Sequence, residues 1–204
     1  MTKVLYLVRH GQTDWNIQRK MQGHVNIPLN DLGKEQARSL QGFFSNNPVD
    51  PIFSSDLDRA FETIQIATAT MQHAPPIKKM TAFREVHLGE IEGLTETEIK
   101  TKYGIEAWHS WISLEKGVNF AYPGGETHQE SLTRSLQNIE TIFKNYEFKK
   151  AALCTHGLLI RRLGHHLSPD LKEVLPIPNC GVFELRWQNN LISFHGLIFN
   201  PQAD

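Results

Sequence analysis

Two histidines in this sequence share a setting. His10 lies in LVRHG and His156 in LCTHG, each just after a short apolar run and each followed by glycine, Gly11 and Gly157. A short, nearly continuous apolar run is what a strand buried on both faces requires. Open α/β sheets bind ligands in the crevice beyond the carboxyl ends of such strands. If the two strands are neighbours the histidines converge, and the glycines are expected to let the backbone turn sharply and approach a ligand closely. Arg9 directly precedes His10, and Arg59, in SSDLDRAFET, enters a helix just after a third run, Pro51 to Ser54. Two arginines and two histidines at strand ends make a compact anion site.

The rest of the chain supplies no competing charge. Its 204 residues carry 21 basic and 22 acidic side chains, a formal charge of −1, so the anion site comes from local placement and not from bulk charge. That balance excludes a nucleic-acid coat or an anionic membrane as the partner. No apolar run approaches the roughly 20 residues that cross a bilayer. The N-terminus reads as a strand entering a polar loop, not as a signal peptide. Cys154 and Cys180 are expected to be reduced residues of buried strands in a cytoplasmic protein. Neither a CxxC nor an HExxH pattern occurs, and no metal or cofactor is implied.

The elements that must position these residues alternate. Val4 to Val8 reads as a central strand. Asn30 caps a helix through DLGKEQARSLQGFF, and Asp56 to Met71 forms a second helix with Leu57, Ala60, Ile64 and Ala67 at helical spacing, ended by Pro75-Pro76. Ile77 to Gly93 is irregular, and Thr95 onward gives one or two short helices bearing Trp108 and Trp111. Glu115 to Gly125 is a loop, Glu126 to Tyr146 the longest helix, Ala151 to Thr155 a strand and Gly157 to Leu167 the helix behind it. A hairpin turns at Asn189-Asn190. The pattern is α/β, a mainly parallel sheet with an antiparallel hairpin at one side. It is expected to form one domain over residues 1–204 with a small helical and loop insertion at about 94–125.

Joined in order, LVRHGQTDWN, QGHVNIPLNDLGKEQA, SSDLDRAFET, FREVHLGEIEG, PGGE and LCTHG resemble the histidine phosphatase superfamily, the branch that includes the cofactor-dependent phosphoglycerate mutases. The resemblance covers nearly the whole chain. It implies a three-layer α/β/α sandwich around a mixed, mainly parallel sheet with one antiparallel strand. It also implies that His10 is a nucleophile forming a phosphohistidine, that Arg9, Arg59 and His156 clamp the phosphoryl oxygens, and that Asn16 donates to the same group. Gln22 and Gly23 then line the substrate entrance, and Glu85 is the proton donor, preferred over Glu90 and Glu92. The opposite branch of the superfamily takes its acid from an Asp after the second histidine; Gly157 stands there in this chain.

The implied activity is hydrolysis of small phosphomonoesters, with mutase activity or a non-catalytic domain of the same fold as alternatives. All five of Arg9, His10, Arg59, Glu85 and His156 are present, which argues against the last. Mutase relatives carry extra basic residues after the acid, where this chain has Trp108, Trp111, Phe120 and Tyr122 with Lys116 the only base. These aromatics suit equally an apolar wall for a leaving group and a small core over the sheet. His24 and His87 lie in segments near the site. The expected partner is a small substrate, together with a second copy of the chain in a homodimer. His10 must be neutral to attack, and the arginines and an anionic substrate pull its charge state in opposite directions, so the residues alone leave it open.

Overall fold

The computed structural model describes residues 2–113 and 117–201. The first strand, β1 (Lys3–Arg9), lies in the middle of a six-stranded sheet with β2 (Ile52–Ser54), β3 (Ile77–Lys79), β4 (Lys150–Thr155), β5 (Val182–Gln188) and β6 (Leu191–Phe199), in the order β3-β2-β4-β1-β5-β6. β1 pairs in parallel with β4, β4 with β2, and β2 with β3, while β5 runs antiparallel to both β1 and β6. β5 is therefore the one antiparallel strand.

Alternation along β1 explains the three layers, because successive side chains of a strand point to opposite faces. Tyr6 and Val8 pack with Ala37, Leu40 and Phe44 of α2 (Asp31–Asn46) and with Ala60, Ile64 and Ala67 of α3 (Asp58–Thr68). Leu5 and Leu7 pack on the other face with Leu132, Ile139 and Phe143 of α6 (His128–Asn145) and Leu159, Ile160 and Leu163 of α7 (Gly157–Leu167). The expected sandwich is the one formed. Asn30 caps α2 through Gly33 N–H, 2.8 Å away, an interaction worth about 1 kcal/mol. Asn189 and Asn190 both adopt positive φ, 51° and 61°, as a two-residue hairpin turn requires.

Local signals missed three features. β3 is an edge strand of three residues, too short and too charged to show an alternation. α1 (Asp14–Ile17) is a single turn closed by a Thr13–Asn16 capping box. Cys180 is not in a strand: it sits in the turn before β5 with φ 56°, its N–H on the Arg9 carbonyl at 3.1 Å. Cys154 lies in β4 as expected, and both thiols are free and buried. The helix ahead of Pro75-Pro76 stops at Thr68, before the prolines are reached.

A third, smaller cluster sits over the sheet's carboxyl edge. Val86, Leu88 and Ile91 join Ile99 of α4 (Glu96–Tyr103), Trp108 of α5 (Ile105–Ile112) and Tyr122. Leu88 and Trp108 of this cluster also line a cleft in the protein.

Candidate active site

Because β1 and β4 are hydrogen-bonded neighbours with Arg9 opposite Thr155, the residues that follow them emerge side by side. The ring centroids of His10 and His156 lie 5.2 Å apart. The backbone of His10 is held from both sides, its N–H on Thr155 O at 3.0 Å and its carbonyl accepting from Asn179 Nδ2 at 3.0 Å. Its ring is oriented too. Nδ1 lies 2.7 Å from Gly11 O, and a carbonyl can only accept, so Nδ1 carries the proton and Nε2 keeps its lone pair. Burial, then Arg59 and Arg9, push the His10 imidazole well below its usual range. Burial and both arginines therefore favour the neutral ring in the absence of an anionic substrate.

The two arginines are anchored through their Nη groups. Arg59, 0 % exposed, donates from Nη1 to Val25 O and from Nη2 to Gly23 O, both at 2.7 Å. Arg9 donates from Nη1 to Ile177 O. The Nε of each is buried with no partner among the described residues, and so is His156 Nδ1. Burial lowers both guanidinium pKa values to about 10, which leaves them charged at neutral pH. His156 Nε2 faces Ser55 Oγ at 2.9 Å; the tautomer in which Ser55 donates puts the ring's proton on the unpartnered Nδ1. Three unmatched donors beside one free imidazole lone pair form a cradle for a tetrahedral oxyanion.

The glycines act differently from the expectation. Neither Gly11 nor Gly157 has positive φ. A Cβ on Gly11 would meet Gly33 O at 2.5 Å, and one on Gly157 would sit 3.1 Å from Arg9 Nε. They make room for protein neighbours at the site, not for a sharp turn.

Glu85 follows a short 3₁₀ turn and reaches under the start of α7. Oε1 accepts from Val86 N and Leu159 N, and Oε2 from Leu158 N, each at 3.0 Å. The carboxylate thus supplies the cap that α7 otherwise lacks. Of about four acceptor positions three are filled, and the open one is on Oε2. Its carbonyl is held by His24 Nε2 at 2.8 Å. Glu90 and Glu92 are committed elsewhere. Glu90 pairs with Lys102 and Tyr103, and Glu92 accepts from His24 N and Leu88 N.

Arg9, His10, Asn16, Gln22, Gly23, Arg59 and Glu85 line one cleft of about 320 Å³; His156 lies fully buried beneath it against Ser55 and His10. Asn16 Oδ1 is taken by Thr13, so its amide NH₂ is the group offered to a ligand. His24 and His87 stack edge-to-face at 4.6 Å and do not line the cleft. All four aromatics pack in the small third cluster, and two of them, Trp108 and Trp111, also form part of the cleft wall. Lys116 lies outside the described residues.

Two further cations were missed by the sequence reading, Arg161 and Lys20, both on the cleft wall. Arg161 is one helical turn past Gly157, so the spacing 157, 158, 161 was the signal available for it. Lys20 follows α1 and had none.

The model of the histidine phosphatase superfamily (branch 1) matches residues 5–198. The chain belongs to this family. Phosphoglycerate mutase-like protein 4 of Arabidopsis thaliana is 34% identical over 179 residues, covering 87% of this chain and 76% of that one. The 2,3-bisphosphoglycerate-dependent phosphoglycerate mutase 2 of Gloeobacter violaceus is 33% identical over 87% of this chain and 82% of its own. Among solved structures, a mycobacterial glucosyl-3-phosphoglycerate phosphatase superposes with a TM-score of 0.80 at 27% identity, over 97% and 98% of the two chains. This histidine phosphatase chain thus has both mutase and phosphatase relatives.

Proposed function

We propose that the protein is a phosphomonoester hydrolase working through a phosphohistidine on small phosphorylated metabolites. The observation that carries this is the state of His10: a ring held toward neutrality, with Nδ1–H donating to Gly11 O and Nε2 free, beside the unmatched donors of Arg9, Arg59 and His156. Nε2 attacks phosphorus in line and the bond to the leaving oxygen breaks. Charge spreading over the phosphoryl oxygens meets donors already in place. Glu85 enters this step protonated at the open position of Oε2 and gives that proton to the leaving alkoxide, becoming a carboxylate. The same carboxylate then takes a proton from the water that cleaves the N–P bond.

Metal is not needed in this scheme, because two guanidinium groups supply the neutralising charge; among the described residues no group of three or more His, Cys, Asp or Glu is placed to hold an ion. The two reduced cysteines suit the cytoplasm. No helix among the described residues is long and apolar enough to cross a membrane. The homodimer reading attaches to the exposed edge strand β6.

A mutase reading has one specific observation behind it: Arg161 and Lys20 add two cations to a cleft in which Arg9 and Arg59 already serve one phosphoryl group. Labelled substrate decides between the two. Acid-labile, base-stable label should form on the wild type, be absent from His10→Ala, and pass to water in the hydrolase but to a second substrate molecule in a mutase. Label on another residue overturns the His10 assignment, and activity lost in EDTA and restored by Mg²⁺ or Zn²⁺ overturns metal independence.

A further inference from the structure

Behind the catalytic cleft lies a second chamber of about 300 Å³ that shares Trp111, Ile112, Leu158 and Arg161 with it as a common wall. Its far side is formed by His128 at the start of α6, Arg162 and His165 of α7, and Val174. Three properties set this space apart. No carboxylate lines it among the described residues, although two guanidinium groups do. Both ring nitrogens of His165 are buried without a partner among those residues. Neither Arg161 nor Arg162 makes an ion pair with a described residue; Arg162 donates to Ser131 Oγ at 2.7 Å and Arg161 to Leu175 O at 3.2 Å. Burial and then the positive Arg162 nearby hold the His128 imidazole down to about 4, as expected where basic groups crowd one space with no acid among them.

Orphaned imidazole nitrogens call for an explanation in a folded protein, and an acceptor ligand is the one that matches their chemistry. The first part of the chamber is apolar, along Trp111, Ile112 and Leu158, and the second part is basic. We propose that this chamber holds the far end of the substrate's leaving group, and that this end is an anion, a carboxylate or phosphate, joined to the scissile ester by an apolar or aromatic spacer. The proposal rests on the reading of the cleft as a phosphomonoester site. It goes beyond that reading in naming the substrate class: phosphomonoesters with a second negative group beyond a spacer running from His10 past Arg161 to His165. The spacer packs on the shared wall, and the anion accepts from a His165 N–H and from the guanidinium groups.

Binding, and not turnover, provides the test, so that it stands whether or not the enzyme hydrolyses any given ester. A series of phosphonates with an aryl or alkyl spacer of increasing length, each ending either in a carboxylate or in the matching neutral amide, is titrated calorimetrically into the full chain. At one spacer length the acid should bind about 10–100-fold tighter than its amide, the range for a hydrogen-bonded charge. In His165→Gln that ratio should collapse toward one. In Val174→Glu, a change at a side chain that is 73% exposed and so tolerant of substitution, it should invert. Acid and amide binding equally at every length would overturn the proposal, as would a preference that survives both substitutions. Failure of the phosphatase reading is seen separately, as absence of label on His10 with a simple aryl phosphate.

Discussion

The two halves of the cleft are built by different means. The phosphoryl half, with Arg9, His10, Arg59 and His156, stands at the carboxyl ends of β1 and β4 and the start of α3, and each side chain is oriented by a backbone carbonyl or a buried hydroxyl. The leaving-group half, with Trp108, Trp111, Arg161 and Lys20, is carried by α5, the outer face of α7 and the loop after α1, packed on a small cluster of its own. The first half rests on the β1–β4 register and on a buried Arg59 anchored to two carbonyls, whereas the second packs on a separate cluster. On the proposed reading chemistry and selectivity are separated, with Glu85 joining them: it caps α7 and lines the cleft.

The largest test of this division is Glu85→Gln. For an alkyl phosphate, kcat/KM should fall by about 10²–10⁴-fold, roughly 3–5 kcal/mol, because an alkoxide leaves poorly without a proton. An aryl phosphate with an acidic phenol should lose less than about 10-fold. Equal losses would make Glu85 a cap that positions α7 and nothing more. Next comes Arg59→Lys. A lysine keeps the charge but not the planar fork that anchors both Nη groups on carbonyls while aiming Nε elsewhere, so kcat/KM should drop by about 10²–10³-fold for every leaving group alike. A loss that varied with the leaving group would show that the halves are not separate.

Trp111→Ala tests the other side. It should raise KM for aryl phosphates by about 3–10-fold with little change in kcat, and leave small alkyl esters near wild type. A fall in kcat for all substrates would place Trp111 in the chemistry. The smallest effect concerns acid stability. The folded values of His10, His156 and His128 all lie below the usual 6.5, that of His128 at about 4. Below pH 6.5 the unfolded chain therefore binds more protons than the folded one, so stability is fully present above 6.5 and is lost as pH falls toward the folded values. The melting temperature should decline between pH 7 and pH 5, and less steeply in His128→Gln. A flat profile would mean that the folded rings take up protons over this range as the unfolded chain does, and so are not shifted down.

Much of the first half was legible in the residues. LVRHG and LCTHG, each an apolar run ending in a histidine, could only be buried strands with a polar residue at the exit, and SSDLDRA brought Arg59 to the same edge. The second half was not legible to the same degree. Arg161 is marked only by its helical spacing from Gly157, and Lys20 follows a one-turn helix too short to show a period. Asn179 holds the His10 carbonyl across 169 residues, a contact that no local pattern encodes.

The sequence by itself determined much of the strand and helix pattern, the neighbourhood of the two histidines and the identity of the polar groups gathered there, because apolar periodicity and strand ends are local properties. Only the tertiary structure decided which His10 nitrogen keeps its lone pair, that Arg9 Nε, Arg59 Nε and His156 Nδ1 lack partners among the described residues, and that Arg161 of α7 and Lys20 after α1 join the same cleft. Protonation and partnering depend on burial and on distances between segments far apart in the chain, and these exist only once the sheet has been assembled.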